Sequence, residues 1–137
     1  MPFTNYLEDS LLNHSLRNGT GGQLYTSPSI WIGLIKDNVV FLDSGFGTQS
    51  EFSGGGYARK YIAPADLNAS SNGTVTNANA LTFPQATGNW GTAHTFVLFD
   101  SGTAGNAMMF GTLVTDKVIL NGDTPSFAAA SLKVGLD

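Results

Sequence analysis

A chain of 137 residues suffices for one domain around one core, and its lack of cysteine excludes disulfides, thiolate metal sites and a cysteine nucleophile. Charged residues make up only 12% and the net charge is −4; the 6 cations are scattered apart from Arg59-Lys60, which excludes the clustered basic face that nucleic acid demands. No apolar stretch approaches the ~20 residues of a membrane helix, and Met1-Pro2-Phe3-Thr4-Asn5 lacks the cationic and apolar regions of a signal peptide, so synthesis and assembly in a cytoplasm are expected.

The first predicted element is a helix. Asn5 is placed to cap it, with Glu8 three residues on, and Leu7/Leu11 and Leu12/Leu16 recur at helical spacing. Asn18-Gly19 supplies a left-handed stop, and Thr20-Gly21-Gly22 reads as a joint. So short a helix is not stable alone and needs a surface, either its own sheet or a neighbouring subunit.

From Ser29 onward the pattern is β. Ile30 to Ile35 is an almost continuous apolar run, as in a strand buried on both faces. Asp37-Asn38 turns the chain into Val39 to Leu42, and Asp43 to Gly56 reads as a long loop. Tyr57 to Ile62 is a strand ended by Pro64, and Ser71-Asn72-Gly73 is a turn before Thr74 to Thr76. Ala80 to Phe83, Ala93 to Phe99 and Ala107 to Val114 follow, with Gly111 marking a bulge or a close backbone approach. Val118 to Leu120, Ser126-Phe127 and Ser131 to Leu136 complete the set, the last with Leu132, Val134 and Leu136 on one face. Roughly seven to nine short strands at this spacing predict a mainly β, sandwich- or jelly-roll-like single domain with a short N-terminal helix. The expected organisation is 1–22 for helix and joint and 23–137 for the β core.

No catalytic constellation emerges. His14 and His94 stand alone, with no metal-ligand spacing, and the glycine runs at 45–47 and 54–56 lack the Gly-Lys-Ser/Thr of a phosphate loop. Asp43, Asp66, Asp100, Asp116 and Asp123 sit in or near turns, where Asp commonly bonds the backbone. No enzyme activity, metal or cofactor is therefore expected. A charge-poor surface suits a protein docked against other subunits, although Thr- and Asn-rich faces produce the same composition. Leu7 and Leu11 on the helix, and Phe46, Phe52, Tyr57 and Trp90 in or beside loops, are the candidate interface residues, because loop aromatics anchor protein contacts well.

Several phrases then stand out in order. They are Phe3-Thr4-Asn5-Tyr6-Leu7-Glu8, Thr26-Ser27-Pro28 and Phe52-Ser53-Gly54-Gly55-Gly56-Tyr57-Ala58-Arg59. After them come Leu81-Thr82-Phe83-Pro84, Ala86-Thr87-Gly88-Asn89-Trp90-Gly91-Thr92 and Leu98-Phe99-Asp100. The series closes with Gly105-Asn106-Ala107-Met108-Met109-Phe110-Gly111 and Leu132-Lys133-Val134-Gly135-Leu136-Asp137. Together they resemble a family of small tailed-bacteriophage virion proteins, often labelled tail-fibre proteins, over nearly the whole chain. The region from Ile35 to Glu51 departs from the family's usual turn, being longer and more apolar.

The resemblance implies a virion structural protein with no active site to carry over. The first functional expectation is a capsid decoration or cement protein contacting the major capsid protein in many copies, as a dimer or trimer. The alternative is a tail component, either a fibre or adaptor or a receptor-binding module. A small glycan hydrolase is the remote third, since a carboxylate pair is a spatial feature.

Overall fold

The apolar run at Ile30–Lys36 becomes the second strand from one edge of an antiparallel sheet, and its alternation decides what lies on each face. A computed structural model describes residues 3–16, 29–36 and 51–135. Its elements are α1 (Asn5–Leu16), β1 (Ile30–Lys36), β2 (Lys60–Ile62), a 3-10 turn at Pro64–Asp66, β3 (Thr74–Thr76) and β4 (Leu81–Thr82), followed by β5 (Gly91–Phe99), β6 (Ala107–Ile119), β7 (Ser126–Phe127) and β8 (Lys133–Gly135). The main sheet has the order β2-β1-β5-β6, and two ribbons, β3-β8 and β4-β7, accompany it. Every named strand pairing is antiparallel.

The chain is thus mainly β with one short N-terminal helix. One face of the sheet, with Ile32, Leu34, Phe96 and Leu98, packs on Leu81, Phe83 and Leu132 from the ribbon side. Phe96 meets Phe127 of β7 edge to face at 5.8 Å. The opposite layer is therefore two separate ribbons. The other face of the sheet holds a smaller cluster of Ile35, Val97, Phe99 and Ala107, with Trp31 and Phe110 against it. Each fully buried side chain of this kind contributes roughly 1.5–3 kcal/mol, so β1 and β5, apolar on both faces, are the pillars of the fold.

Asn77 holds the two ribbons together. It is fully buried, and its Nδ2 donates to the carbonyls of Asn79 and Ala128 while its Oδ1 accepts from Leu132 N–H. One side chain thereby replaces the ladder that two short ribbons lack where they diverge.

Three expectations change. The helix cap is Thr4, not Asn5: Asn5 is the first helical residue, and Leu7 N–H points at Thr4 Oγ1 at 3.5 Å. Thr4 Oγ1 also lies 2.7 Å from Ala107 O as a donor, and Phe3 bridges to Met109, so the cap doubles as the tether of α1 to β6. The strand expected at Tyr57 to Ile62 begins only at Lys60, because Gly54, Gly55 and Gly56 all take positive φ and loop the chain outward first. Finally, the strands expected at Ala107 to Val114 and Val118 to Leu120 are one strand of 13 residues, β6. The expected strand at Val39 to Leu42, the joint at Thr20-Gly21-Gly22 and Phe46 lie outside the described residues.

Candidate functional site

Phe52, Tyr57 and Trp90, far apart in sequence, meet in space. Tyr57 stands edge-on to Trp90 at 5.2 Å and to Phe52 at 5.9 Å. The trio faces inward: Phe52 and Trp90 are 3% and 6% exposed and belong to the main core. The indole N–H of Trp90 donates to Gly55 O at 2.7 Å, so the glycine turn exists to bring a carbonyl onto a buried indole. Leu7 is likewise buried and Leu11 half-buried under α1. Of the expected interface residues within the described segments, most are thus occupied by the chain's own packing.

The physical reason is the polar network beneath the trio. Tyr57 Oη donates to Glu51 Oε1 at 2.7 Å and accepts from Leu34 N–H at 3.0 Å. Arg59 meets Glu51 in a bidentate pair, Nε to Oε1 and Nη2 to Oε2, both at 2.8 Å. Its Nη1 reaches the carbonyls of Ser101 and Ala104 in the β5–β6 hairpin, and the guanidinium lies 3.4 Å from the Phe99 ring centre. Burial pushes the Tyr57 phenol far above its ordinary value, and the adjacent Glu51 carboxylate adds to the shift. No buried side-chain polar atom among the described residues lacks a partner. The network is a clamp joining the 51–59 segment to strand β1 and the β5–β6 hairpin.

Asp66, Asp100 and Asp123 are likewise occupied. Asp66 accepts from Asn79 and from Ala63 N–H, and these bonds hold its carboxyl below its ordinary value. Asp100 accepts twice from Asn106, and Asp123 accepts from Leu120 N–H. Among the described residues no cluster of three or more His, Asp or Glu is placed to hold a metal.

Exposed apolar side chains lie on α1, at Leu12 and Leu16, and along the last strand of the sheet. β6 ends the sheet order, and Phe3 and Thr4 bond its first residues, Ala107 to Met109. Its register with β5 breaks sharply: Ala93 pairs Lys117 and Thr95 pairs Thr112, so His94 alone faces Leu113, Val114, Thr115 and Asp116. These residues form a wide bulge. Its tip, Val114, is 106% exposed, and Val118 and Leu120 beyond it are 54% and 50% exposed. A hydrogen bond between His94 Nδ1 and Asp116 Oδ1 pins the bulge back to β5. Leu113 points the other way, into the main core cluster.

Two grooves flank the bulge on its ribbon side. One, of about 430 Å³, is lined by Phe96, Leu113, Val114, Phe127, Leu132 and Lys133 among others. The second, of about 200 Å³, lies between Leu113, Thr115, Lys117 and the Pro125-Ser126-Phe127 segment. Sequence reasoning missed this edge. The available signal was the apolar pair Leu113-Val114 followed by Thr-Asp-Lys, which breaks the alternation of a plain strand.

Residues 2–135 match a family model described as Podophage GP4 fiber I protein gp80. No curated protein matches the chain.

Proposed function

The chain belongs to this podophage fibre family and is a structural protein of the phage virion, and we propose that it serves as a fibre subunit whose work is packing against other virion subunits. The observation that carries this reading is the exposed, bulged edge of β6, with Val114 standing free in solvent. Val114, Val118 and Leu120 are all exposed along this stretch, and it is grouped rather than single exposed apolar side chains that mark contact surfaces. Phe52 and Trp90 are spent on the core, so among the described residues exposed apolar side chains are left on this edge and on the outer side of α1, at Leu12 and Leu16. In this reading the subunit acts by packing and carries no catalytic role.

Decoration of the capsid exterior, in contact with the major capsid protein, uses the same packing chemistry. Copy number separates the two placements. Quantitative mass spectrometry of purified virions, referenced to the major capsid protein, is expected to give a few copies per particle, in a multiple set by the tail's symmetry. Hundreds of copies in simple ratio to the capsid protein overturn the fibre placement and make the chain a decoration protein.

A further inference from the structure

The geometry points to the bulged edge of β6 as a contact between two copies of this chain, the Val114 knob of one copy seating in the groove beside the bulge of the next. The inference rests on the fibre-subunit reading and names the partner at that surface.

Knob and groove lie side by side: Val114 is at once the exposed tip of the bulge and part of the rim of the larger groove. A surface carrying both a projection and a recess can meet its own copy across a two-fold axis, the isologous form of contact. The groove floor is apolar, built from Phe96, Leu113, Phe127 and Leu132, and suits an aliphatic side chain. Gly111 opens it, because a Cβ there would come within 2.7 Å of the Phe96 ring.

Charge agrees with this seating. Of the chain's 6 cations, Lys133 lines one groove and Lys117 the other. The bulge carries Asp116, about half exposed beside its His94 partner. A neighbour's knob therefore brings a carboxylate toward an ammonium group. The bulge also breaks the flat ladder on which an arbitrary strand could add, so side-chain fit and not main-chain pairing selects the partner.

The chain has no cysteine, so introduced thiols report on this contact alone. A Val114→Cys/Ser131→Cys double variant is expected to form intermolecular disulfides under mild oxidation, whereas a Thr103→Cys/Ser131→Cys control, with one thiol in the distant β5–β6 hairpin, is not. Sedimentation of the wild-type chain is expected to show self-association, weakened at least about tenfold by Val114→Asp. The melting temperature should be unchanged, because Val114 touches little of its own fold. A wild-type chain that stays monomeric at its highest soluble concentration, or a Val114→Asp chain that associates equally well, overturns the inference. Virion incorporation distinguishes the two failures. Wild-type chain present in the tail but monomeric in solution sinks only the self-contact, whereas wild-type chain absent from the tail sinks the fibre reading itself.

Discussion

Replacing Arg59 with Met tests the buried clamp. The substitution keeps an unbranched apolar stem over Phe99 and removes the guanidinium. Arg59 and Glu51 side chains are 6% and 13% exposed, so the pair sits where screening is weak. Once Arg59 is gone, Glu51 keeps a single described partner, the Tyr57 hydroxyl, for a carboxylate that stays largely out of water. Stranding one half of a buried pair costs about 3–5 kcal/mol. The carbonyls of Ser101 and Ala104 also lose their donor, but their hairpin is open enough for water to replace it. A loss of about 4 kcal/mol is a large share of the ~5–15 kcal/mol that holds a domain folded. With a urea slope near about 2 kcal/mol/M, the unfolding midpoint should fall by about 2 M. Trp90, in ring contact with Tyr57, is the natural fluorescence reporter. The double variant Arg59→Met/Glu51→Leu removes both charges and should be clearly more stable than Arg59→Met alone, because the cost lies in the orphaned charge. A loss below about 1 kcal/mol for Arg59→Met, or a double variant as unstable as the sum of its singles, refutes the clamp.

The same network sets a response to alkali. The folded Tyr57 phenol titrates above its unfolded value, so the stabilisation is fully present below about pH 10 and erodes as pH rises past it, by about 1.4 kcal/mol per pH unit. Tyr57→Phe should cost about 1–3 kcal/mol at neutral pH and flatten that alkaline slope, as read from urea midpoints between neutral and strongly alkaline buffer. Asn77→Ala strips three hydrogen bonds from a fully buried site and should cost about 2–4 kcal/mol by thermal denaturation; a cost under about 0.5 kcal/mol would mean that the ribbons do not depend on it. Gly111→Ala drives a methyl into the Phe96 ring and should cost about 1–3 kcal/mol, visible as a lowered melting temperature.

Where sequence and structure agree, one periodicity was at work. The run at Ile30 to Ile35 reads as a strand buried on both faces, and Ile32 and Leu34 do lie on one face and Ile35 on the other. Turn chemistry was also local enough to read: Asn72 and Gly73 both take positive φ in the turn before β3, and Asp123 N–H bonds Leu120 O in the turn after β6. Gly111 as a close-approach glycine follows from the same kind of reasoning, with the Phe96 ring as its reason. Phe52 and Trp90 lie inside because a loop in sequence is not a surface in space. Gly54, Gly55 and Gly56 fold the Phe52–Arg59 segment back on itself, and Trp90 closes over it through Gly55 O. The Glu51–Arg59 pair was hidden for the same reason: its worth depends on burial, which no spacing reports. The β6 bulge depends on a register set between two strands, of which the sequence carries only the broken alternation at Leu113-Val114.

The low charge of the chain admitted two explanations, docking or merely neutral polar faces, and the distribution of residues on β6 bears on the choice. Thr112, Val114, Thr115 and Val118 are all exposed, so both the neutral polar and the apolar excess gather on the strand that ends the sheet. An edge of 13 residues with so little charge would, if flat, template open-ended pairing with any extended chain. Proteins that need no partner at such an edge place lysines or prolines along it, and here only Lys117 is present on β6. The chain instead breaks the edge with the 113–116 bulge and pins it with His94 and Asp116. That arrangement blocks indiscriminate strand addition and leaves one shaped, apolar contact. For the fibre subunit proposed above, such an edge would favour one defined neighbour over open-ended strand addition.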